Sequence, residues 1–302
     1  MTGYQEIMTD PSYASQVVTF TFPHIGNTGV TPEDDEAPDP VASGIVVRWD
    51  PTEPSNWRST YELTDWMARR GRIGIGGVDT RRLTRAIRQQ GAPHVVLAHD
   101  PDGNFDIEAM IARARTWTGL VGLDLARDVT CRQSYRWDQG LWEWPGQFGS
   151  VPRQKPFRVV ALDYGAKRNI LRSLVAYGAD VTVLPATATA EEVMAHEPEG
   201  VFLSNGPGDP AATGLDPADL AAFFDLWIGT EKVVTVFSQG VNQSASGTDK
   251  VNAIINCHLA TGRIGRPGMG PFSVTGQPNA MGGREVGGLA TLGAAHRDLP
   301  LR

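Results

Sequence analysis

A chain of 302 residues, 41% hydrophobic and 20% charged, can supply two domains of roughly 150 residues with a core each. Its net charge of −7 argues against a nucleic-acid surface and gives no hint of an anionic membrane partner. Cys131 and Cys257 are its only cysteines, too few for a disulfide framework or a cysteine metal site, which fits a reducing compartment. The start, Met1-Thr-Gly-Tyr-Gln-Glu-Ile, lacks the basic and apolar regions of a signal peptide. No apolar run approaches the ~20 residues of a membrane span, so the expected location is cytoplasmic.

After a polar, turn-rich opening, Gln16-Val-Val-Thr-Phe-Thr-Phe22 alternates as a strand should, and Pro23-His24-Ile-Gly-Asn27 ends it. Ser12 follows a proline just before that strand; it reads either as a turn serine or as a side chain at a sheet edge within reach of a ligand. Glu33-Asp34-Asp35-Glu36 reads as a solvated loop without the spacing of a calcium site. Ser43–Trp49 predicts a second strand, and Tyr61, Leu63, Trp66 and Met67 predict a helix within residues 60–70. Gly74, Gly76 and Gly77 miss the intervals of a dinucleotide fingerprint. Asp79 and Thr80 cap a helix over Arg81–Gln89 that Gly91 terminates. A strand over His94–Ala98 and a helix over Ile107–Thr116 follow. Residues 137–155, rich in Trp, Gly, Pro and Gln without periodicity, read as an interdomain linker.

Phe157–Asp163 predicts a buried strand ending in an aspartate, followed by a helix over Lys167–Tyr177 with Ile170, Leu171, Leu174 and Val175 on one face. Strands at Asp180–Leu184, Val201–Leu203 and Val233–Phe237 alternate with helices at Glu191–His196 and, capped by Asp216, Pro217–Ile228. This alternation predicts a doubly wound parallel sheet. Gly206-Pro207-Gly208-Asp209-Pro210 forces a turn at the carboxyl end of a strand, where open α/β sheets bind ligands. Taken alone, the turn reads first as an ordinary strand-to-helix connection.

Seven motifs in order then carry a resemblance: Met1–Ile7, Thr9-Asp-Pro-Ser-Tyr13, Phe22-Pro-His-Ile-Gly-Asn27, Ser55-Asn-Trp-Arg58, Asp79-Thr-Arg-Arg-Leu-Thr-Arg85, Asp163-Tyr-Gly-Ala-Lys-Arg-Asn-Ile-Leu-Arg172 and Leu203-Ser-Asn-Gly-Pro-Gly-Asp-Pro210. They resemble the small subunit of carbamoyl-phosphate synthase, a class I glutamine amidotransferase. The resemblance implies an α/β chain: an N-terminal mixed α/β domain over 1–136, incomplete at its start; a linker over 137–156; a partial flavodoxin-like amidotransferase domain over 157–243; and an unmatched glycine-rich tail over 244–302. It also implies L-glutamine bound by Ser12, Gly206 and Gly208, backbone N–H groups of the glycine turn in an oxyanion hole, and docking to a large subunit that holds ATP and magnesium. No cofactor is expected in this chain, and neither a nucleic acid nor a membrane as partner.

Members of the family carry a glycine-flanked cysteine after the strand matching Val233–Phe237, and a histidine and glutamate downstream. Here Ser238-Gln-Gly-Val-Asn-Gln243 follows that strand and His296 precedes Arg297-Asp298, so no catalytic residue is assigned. Cys257-His258, read as part of a strand whose neighbours face opposite ways, is not taken as a working pair. The tail from residue 244, dense in glycine and poor in apolar periodicity, is expected to be disordered or loosely packed. Three functions follow: a glutaminase subunit for arginine and pyrimidine biosynthesis whose glutaminase centre is lost; a non-catalytic partner that only docks the large subunit; and a flavodoxin-like module using Gly206 to Gly208 as an anion nest.

Overall fold

The computed structural model describes residues 2–151, 156–209, 217–237, 241 and 247–273. The chain divides into two compact units, residues 1–214 and 215–302. No helix among the described residues is long and apolar enough to cross a membrane.

The first unit begins with helix α1 (Tyr4–Thr9) and a three-residue 3-10 turn, Pro11–Tyr13. Strands β1 (Val17–Thr19), β2 (Gly44–Val46) and β3 (Ile73–Ile75) form a parallel sheet in that order. Helix α2 (Leu63–Arg69) precedes β3. Tyr4 and Met8, one turn apart on α1, join Leu63, Trp66 and Met67 of α2 in one buried cluster with Phe20, Ile45 and Val47. The periods of 3.6 and 2 therefore turn apolar stripes of helix and strand to one core. Polar groups in this core are paired: Tyr4 Oη donates to the Gly29 carbonyl at 2.7 Å, and the Gln5 amide exchanges hydrogen bonds with the Thr31 backbone at 2.6 and 3.0 Å.

Helix α3 (Thr80–Gln90) starts and stops where the sequence predicts, with the Asp79 carboxylate accepting from Arg82 N and Gly91 at φ +86°. Helix α4 (Ile107–Thr116) is capped in the same way by Asp106. The strand predicted over His94–Ala98 is absent: those residues have no regular structure. Leu97 instead lays its side chain against Gly44 of β2. An apolar run becomes a strand only where a sheet edge accepts its backbone.

After helix α5 (Ala126–Val129), strand β4 (Tyr135–Trp137) runs antiparallel to a later strand, β8 (Ala179–Pro185). The linker expected over 137–156 contains a hairpin, β5 (Gln139–Glu143) and β6 (Gln147–Ser150), with Trp142 opposite Phe148. Its aromatic rings hold it in place: Arg58 lies over Trp142 at 4.5 Å and Arg172 over Phe148 at 4.2 Å. Such tertiary contacts give no periodic signal in the sequence.

Strand β7 (Phe157–Asp163) is central to the second sheet, ordered β4-β8-β7-β9, with β8 (Ala179–Pro185) and β9 (Gly200–Leu203) parallel to it. Val159 and Ala161 pack with Leu171 and Val175 of α6 (Arg168–Ala176). Val160 and Leu162 pack on the opposite face with Val193 of α7 (Ala190–Met194). One strand thus buries both faces, which explains why Phe157–Asp163 reads as a continuous apolar run. The fold is α/β with parallel sheets, as predicted.

In the second unit, α8 (Pro217–Gly229) leads to β10 (Val234–Phe237), which pairs in parallel with β11 (Gly270–Ser273) in a two-stranded sheet. Asp216, the expected cap of α8, lies outside the described residues, as do 242–246 and 274–302. Within the rest, the disorder expected of the tail is corrected by a helix and a strand, while no apolar side chain among the described residues 247–273 is fully buried. Helix α9 (Gly247–Ala260) precedes β11. Val251, Ile254, Ile255 and His258 have the i, i+3, i+4, i+7 spacing of a helix face; His258 is buried and the other three are partly buried, as is Cys257. Cys257 and His258 lie on this helix, not on a strand. Thr235 Oγ1 pairs with His258 Nε2 at 2.8 Å, linking β10 to α9.

Burial near α1 makes stability depend on pH. Burial, joined by the charges of Asp34 and Glu36, pushes the Glu6 carboxyl up to about 7, against the pull of Arg58. The folded state therefore holds a proton that the unfolded chain releases near 4.5, and stability falls as pH rises from about 4.5 to about 7. Glu6→Gln is expected to raise the melting temperature at pH 8 and to leave it unchanged near pH 4, as read by thermal unfolding across that range.

Candidate functional site

Three turns distant in sequence meet at the carboxyl end of the second sheet. The first is the 3-10 turn Pro11–Tyr13. Asp10 caps it, its Oδ1 accepting from Ser12 N at 2.9 Å, because a carboxylate at this position satisfies a backbone donor that the short helix leaves unpaired. The second is Tyr164 to Lys167, between β7 and α6. Asp163, 7% exposed, accepts from Gly165 N at 2.9 Å and Ala166 N at 2.7 Å with Oδ1, and from Cys131 N at 2.8 Å with Oδ2. The third is Ser204 to Asp209, leaving β9. Ser204 Oγ accepts from Tyr164 N at 2.8 Å, and the Asp209 carboxylate accepts from Gly122 N at 3.0 Å.

These turns are joined to one another. Asn205 Nδ2 donates to Ser12 Oγ at 2.7 Å, across 193 positions of sequence. Lys167 Nζ lies 2.9 Å from Asp10 Oδ2. Burial alone would lower the Lys167 ammonium, but the Asp10 charge and hydrogen bond prevail and hold it above its ordinary range. Further back, Glu36 accepts from Asn169 N at 2.8 Å through its carboxylate and from Arg168 N at 3.1 Å through its carbonyl. Burial raises the Glu36 carboxyl, against that hydrogen bond and the nearby Lys167 and Arg172.

The structure thus brings Ser12 to the turn that carries Gly206 and Gly208. Gly208 sits at φ +86°, and a Cβ there would stand 2.5 Å from the Leu123 carbonyl oxygen. A Cβ on Gly206 would stand 2.2 Å from the Tyr164 carbonyl oxygen. Both glycines are required by close backbone approach, and Gly208 by its left-handed conformation as well. Asp10, Lys167 and Asn205 escaped sequence reasoning as members of the site. The Asp-Pro-Ser run does carry the signature of a capping carboxylate, but nothing local announces the Asp10–Lys167 or Ser12–Asn205 contacts.

The two cysteines lie in different surroundings. Burial first, then the charge of Asp163, pushes the Cys131 thiol up to about 11. Cys257 sits within α9, with its carbonyl accepting from Thr261 Oγ1 at 2.8 Å. His258 is fully buried, and burial together with Arg263 lowers its pKa.

Asp163→Ala removes the acceptor of three backbone donors. At about 1 kcal/mol for each lost hydrogen bond, the variant should lose roughly 3 kcal/mol of stability in denaturant titration. With the neighbouring charge gone, the Cys131 thiol should titrate below the wild-type value, as followed by the pH dependence of its alkylation.

Comparison with known proteins gives the family. The family described as "Carbamoyl-phosphate synthase small chain, CPSase domain" matches residues 1–97, and "Glutamine amidotransferase class-I" matches residues 160–227. The chain is 73% identical over 214 residues to a carbamoyl phosphate synthase small chain of Ruegeria pomeroyi, covering 71% of this chain and 55% of that protein. It is 58% identical over 213 residues to the small chain of Zymomonas mobilis, covering 70% and 57%, and 54% identical over 218 residues to that of Caulobacter vibrioides, covering 71% and 56%. The chain spans somewhat more than half the length of these relatives. By these two family matches and by this identity, the chain belongs to the carbamoyl-phosphate synthase small-chain family.

Proposed function

We propose that this chain is a glutamine-contacting, large-subunit-docking member of its family that does not itself hydrolyse glutamine. The observation that carries the ligand site is the hydrogen bond from Asn205 to Ser12, which sets a hydroxyl against the glycine turn. On this reading Ser12, Gly206 and Gly208 contact L-glutamine. In the family reaction a thiolate attacks the side-chain amide, ammonia leaves, and water cleaves the resulting glutamyl thioester. The ammonia serves a large subunit that uses bicarbonate and ATP with magnesium to make carbamoyl phosphate for arginine and pyrimidine synthesis.

The absence of hydrolysis is supported by the cysteines. A thiolate nucleophile needs an exposed, electropositive position. Cys131 lies beside the Asp163 carboxylate, with its thiol raised to about 11. Cys257 occupies the body of α9, not a turn after a strand. The residues that follow β10, where the family elbow falls, lie outside the described residues at 238–240 and include no cysteine. A chain without the elbow lacks the second N–H of the oxyanion hole, so glutamine is held by part of its contacts. Each lost hydrogen bond costs roughly 0.5–1.5 kcal/mol, which weakens binding about tenfold or more.

Three measurements check this reading. Purified chain should release ammonia from glutamine only at background, with Cys257→Ser unchanged; release that this substitution abolishes overturns the inactive reading. Calorimetric titration should show weak glutamine binding that Gly206→Val removes. Binding unaffected by the valine places the ligand elsewhere. Retention of a large subunit by the immobilised chain is expected, and its failure favours a ligand-binding module over a docking subunit.

A further inference from the structure

We propose that Asn205 is a positioning residue of the candidate glutamine site: its amide fixes the Ser12 hydroxyl as a hydrogen-bond donor, so that Ser12 selects a ligand for its carboxylate. The inference rests on the reading of Ser12 and the glycine turn as that site, and it adds the residue that sets the polarity of the Ser12 hydroxyl. Every other hydrogen-bonding group of Ser12 is engaged. Its N–H donates to Asp10 Oδ1 at 2.9 Å, and Lys167 Nζ holds the other oxygen of that carboxylate at 2.9 Å. Its carbonyl accepts from Gln16 Nε2 at 3.0 Å, and its Oγ accepts from Asn205 Nδ2 at 2.7 Å. What is left is the hydroxyl proton, which has no acceptor among the described residues.

A serine hydroxyl has one proton and two lone pairs and rotates to suit its neighbours. With a lone pair committed to the Asn205 amide, the proton is kept for the ligand. Asn205 is itself held, because its carbonyl accepts from Ser204 Oγ at 2.8 Å and Ser204 Oγ accepts from Tyr164 N at 2.8 Å. The direction of the Asn205–Ser12 hydrogen bond follows from what each orientation of the amide strands. As it stands, Asn205 Oδ1 is buried without a partner. Turned over, the amide would strand its NH2 group there instead, and orphaned N–H groups are rarer in protein interiors than under-satisfied carbonyls. The Gly206 and Gly208 N–H groups of the same turn also have no acceptor among the described residues. The site therefore offers donors, and it suits a ligand with two acceptor groups: an amide carbonyl for the glycine turn and a carboxylate for Ser12. The carboxylate is the better match for the hydroxyl, since hydrogen bonds to an ionised acceptor are shorter and stronger than neutral ones.

The test is calorimetric titration of the full chain with L-glutamine and with L-glutaminamide, in which a carboxamide replaces the α-carboxylate. Wild type should prefer glutamine about fivefold or more. Asn205→Ala and Ser12→Ala, each checked for an unchanged circular dichroism spectrum, should each cut that preference about threefold or more. The double variant should lose no more than Ser12→Ala alone, because Asn205 acts through Ser12. A merely structural role for Asn205 would weaken both ligands equally, and that result overturns the proposal. Losses that multiply in the double variant also overturn it, as does a wild-type preference for the carboxamide, which would make Ser12 an acceptor. Gly206→Val separates the two readings. Glutamine binding that it removes, with a carboxylate preference that Asn205→Ala leaves unchanged, overturns this inference alone. No glutamine binding, or binding that Gly206→Val leaves intact, overturns the site and the inference with it.

Discussion

Gly165 is a place where a side chain would crowd three neighbours at once, and three segments of the first unit meet there. A Cβ there would stand 3.0 Å from Pro11, 3.1 Å from Val129 and 3.2 Å from Pro207. Those neighbours come from the turn before β1, the end of α5 and the turn after β9. Gly165 itself sits at φ +119°, outside the range that other residues adopt readily. A Cβ there would require each of these neighbours to give by a few tenths of an ångström. Two of these segments also carry Ser12 and Asn205, which hydrogen-bond at 2.7 Å.

Charge makes the approach specific. Apolar contact alone brings turns together without choosing a register, whereas a buried carboxylate must find its donors or lose more than packing returns. Asp163 finds three N–H groups, Asp10 finds Ser12 N and Lys167, and Glu36 finds Asn169 N. The Asp10–Lys167 and Glu36–Asn169 links join the amino-terminal sheet segments to the first turn of α6. Buried pairs of this kind contribute little net stability, because desolvation offsets most of the attraction. Their effect here is positional: each excludes arrangements in which the partner is displaced.

The second unit is built on simpler terms. A helix face of Val251, Ile254, Ile255 and His258 and one parallel strand pair organise its described residues. Arg263, 4% exposed, donates to the carbonyls of Trp227 and Thr230 and so satisfies acceptors that the end of α8 leaves open. Local periodicity and one capping arginine order this stretch even though its glycine content reads as loose. Glycine density measures the entropy to be overcome; it does not measure what a particular neighbour contributes.

The sequence by itself determined those features whose cause is local. The caps at Asp79 and Gly91, the two-faced apolar run of Phe157–Asp163, the α6 stripe and the α/β class all rest on periods and capping groups contained within a few residues. The seven motifs pointed to the family, and Ser12, Gly206 and Gly208 were named together through it. Tertiary structure alone decided the rest. His94–Ala98 found no strand partner, residues 139–150 formed a hairpin held by Arg58 and Arg172, and Cys257 fell on a helix. Asp10, Lys167 and Asn205 became neighbours of the candidate site only when distant turns closed around Gly165. Capping and periodicity act over one or two turns of chain and leave their mark in the order of residues. A hydrogen bond across 193 positions exists only after the chain has folded, so no local pattern records it.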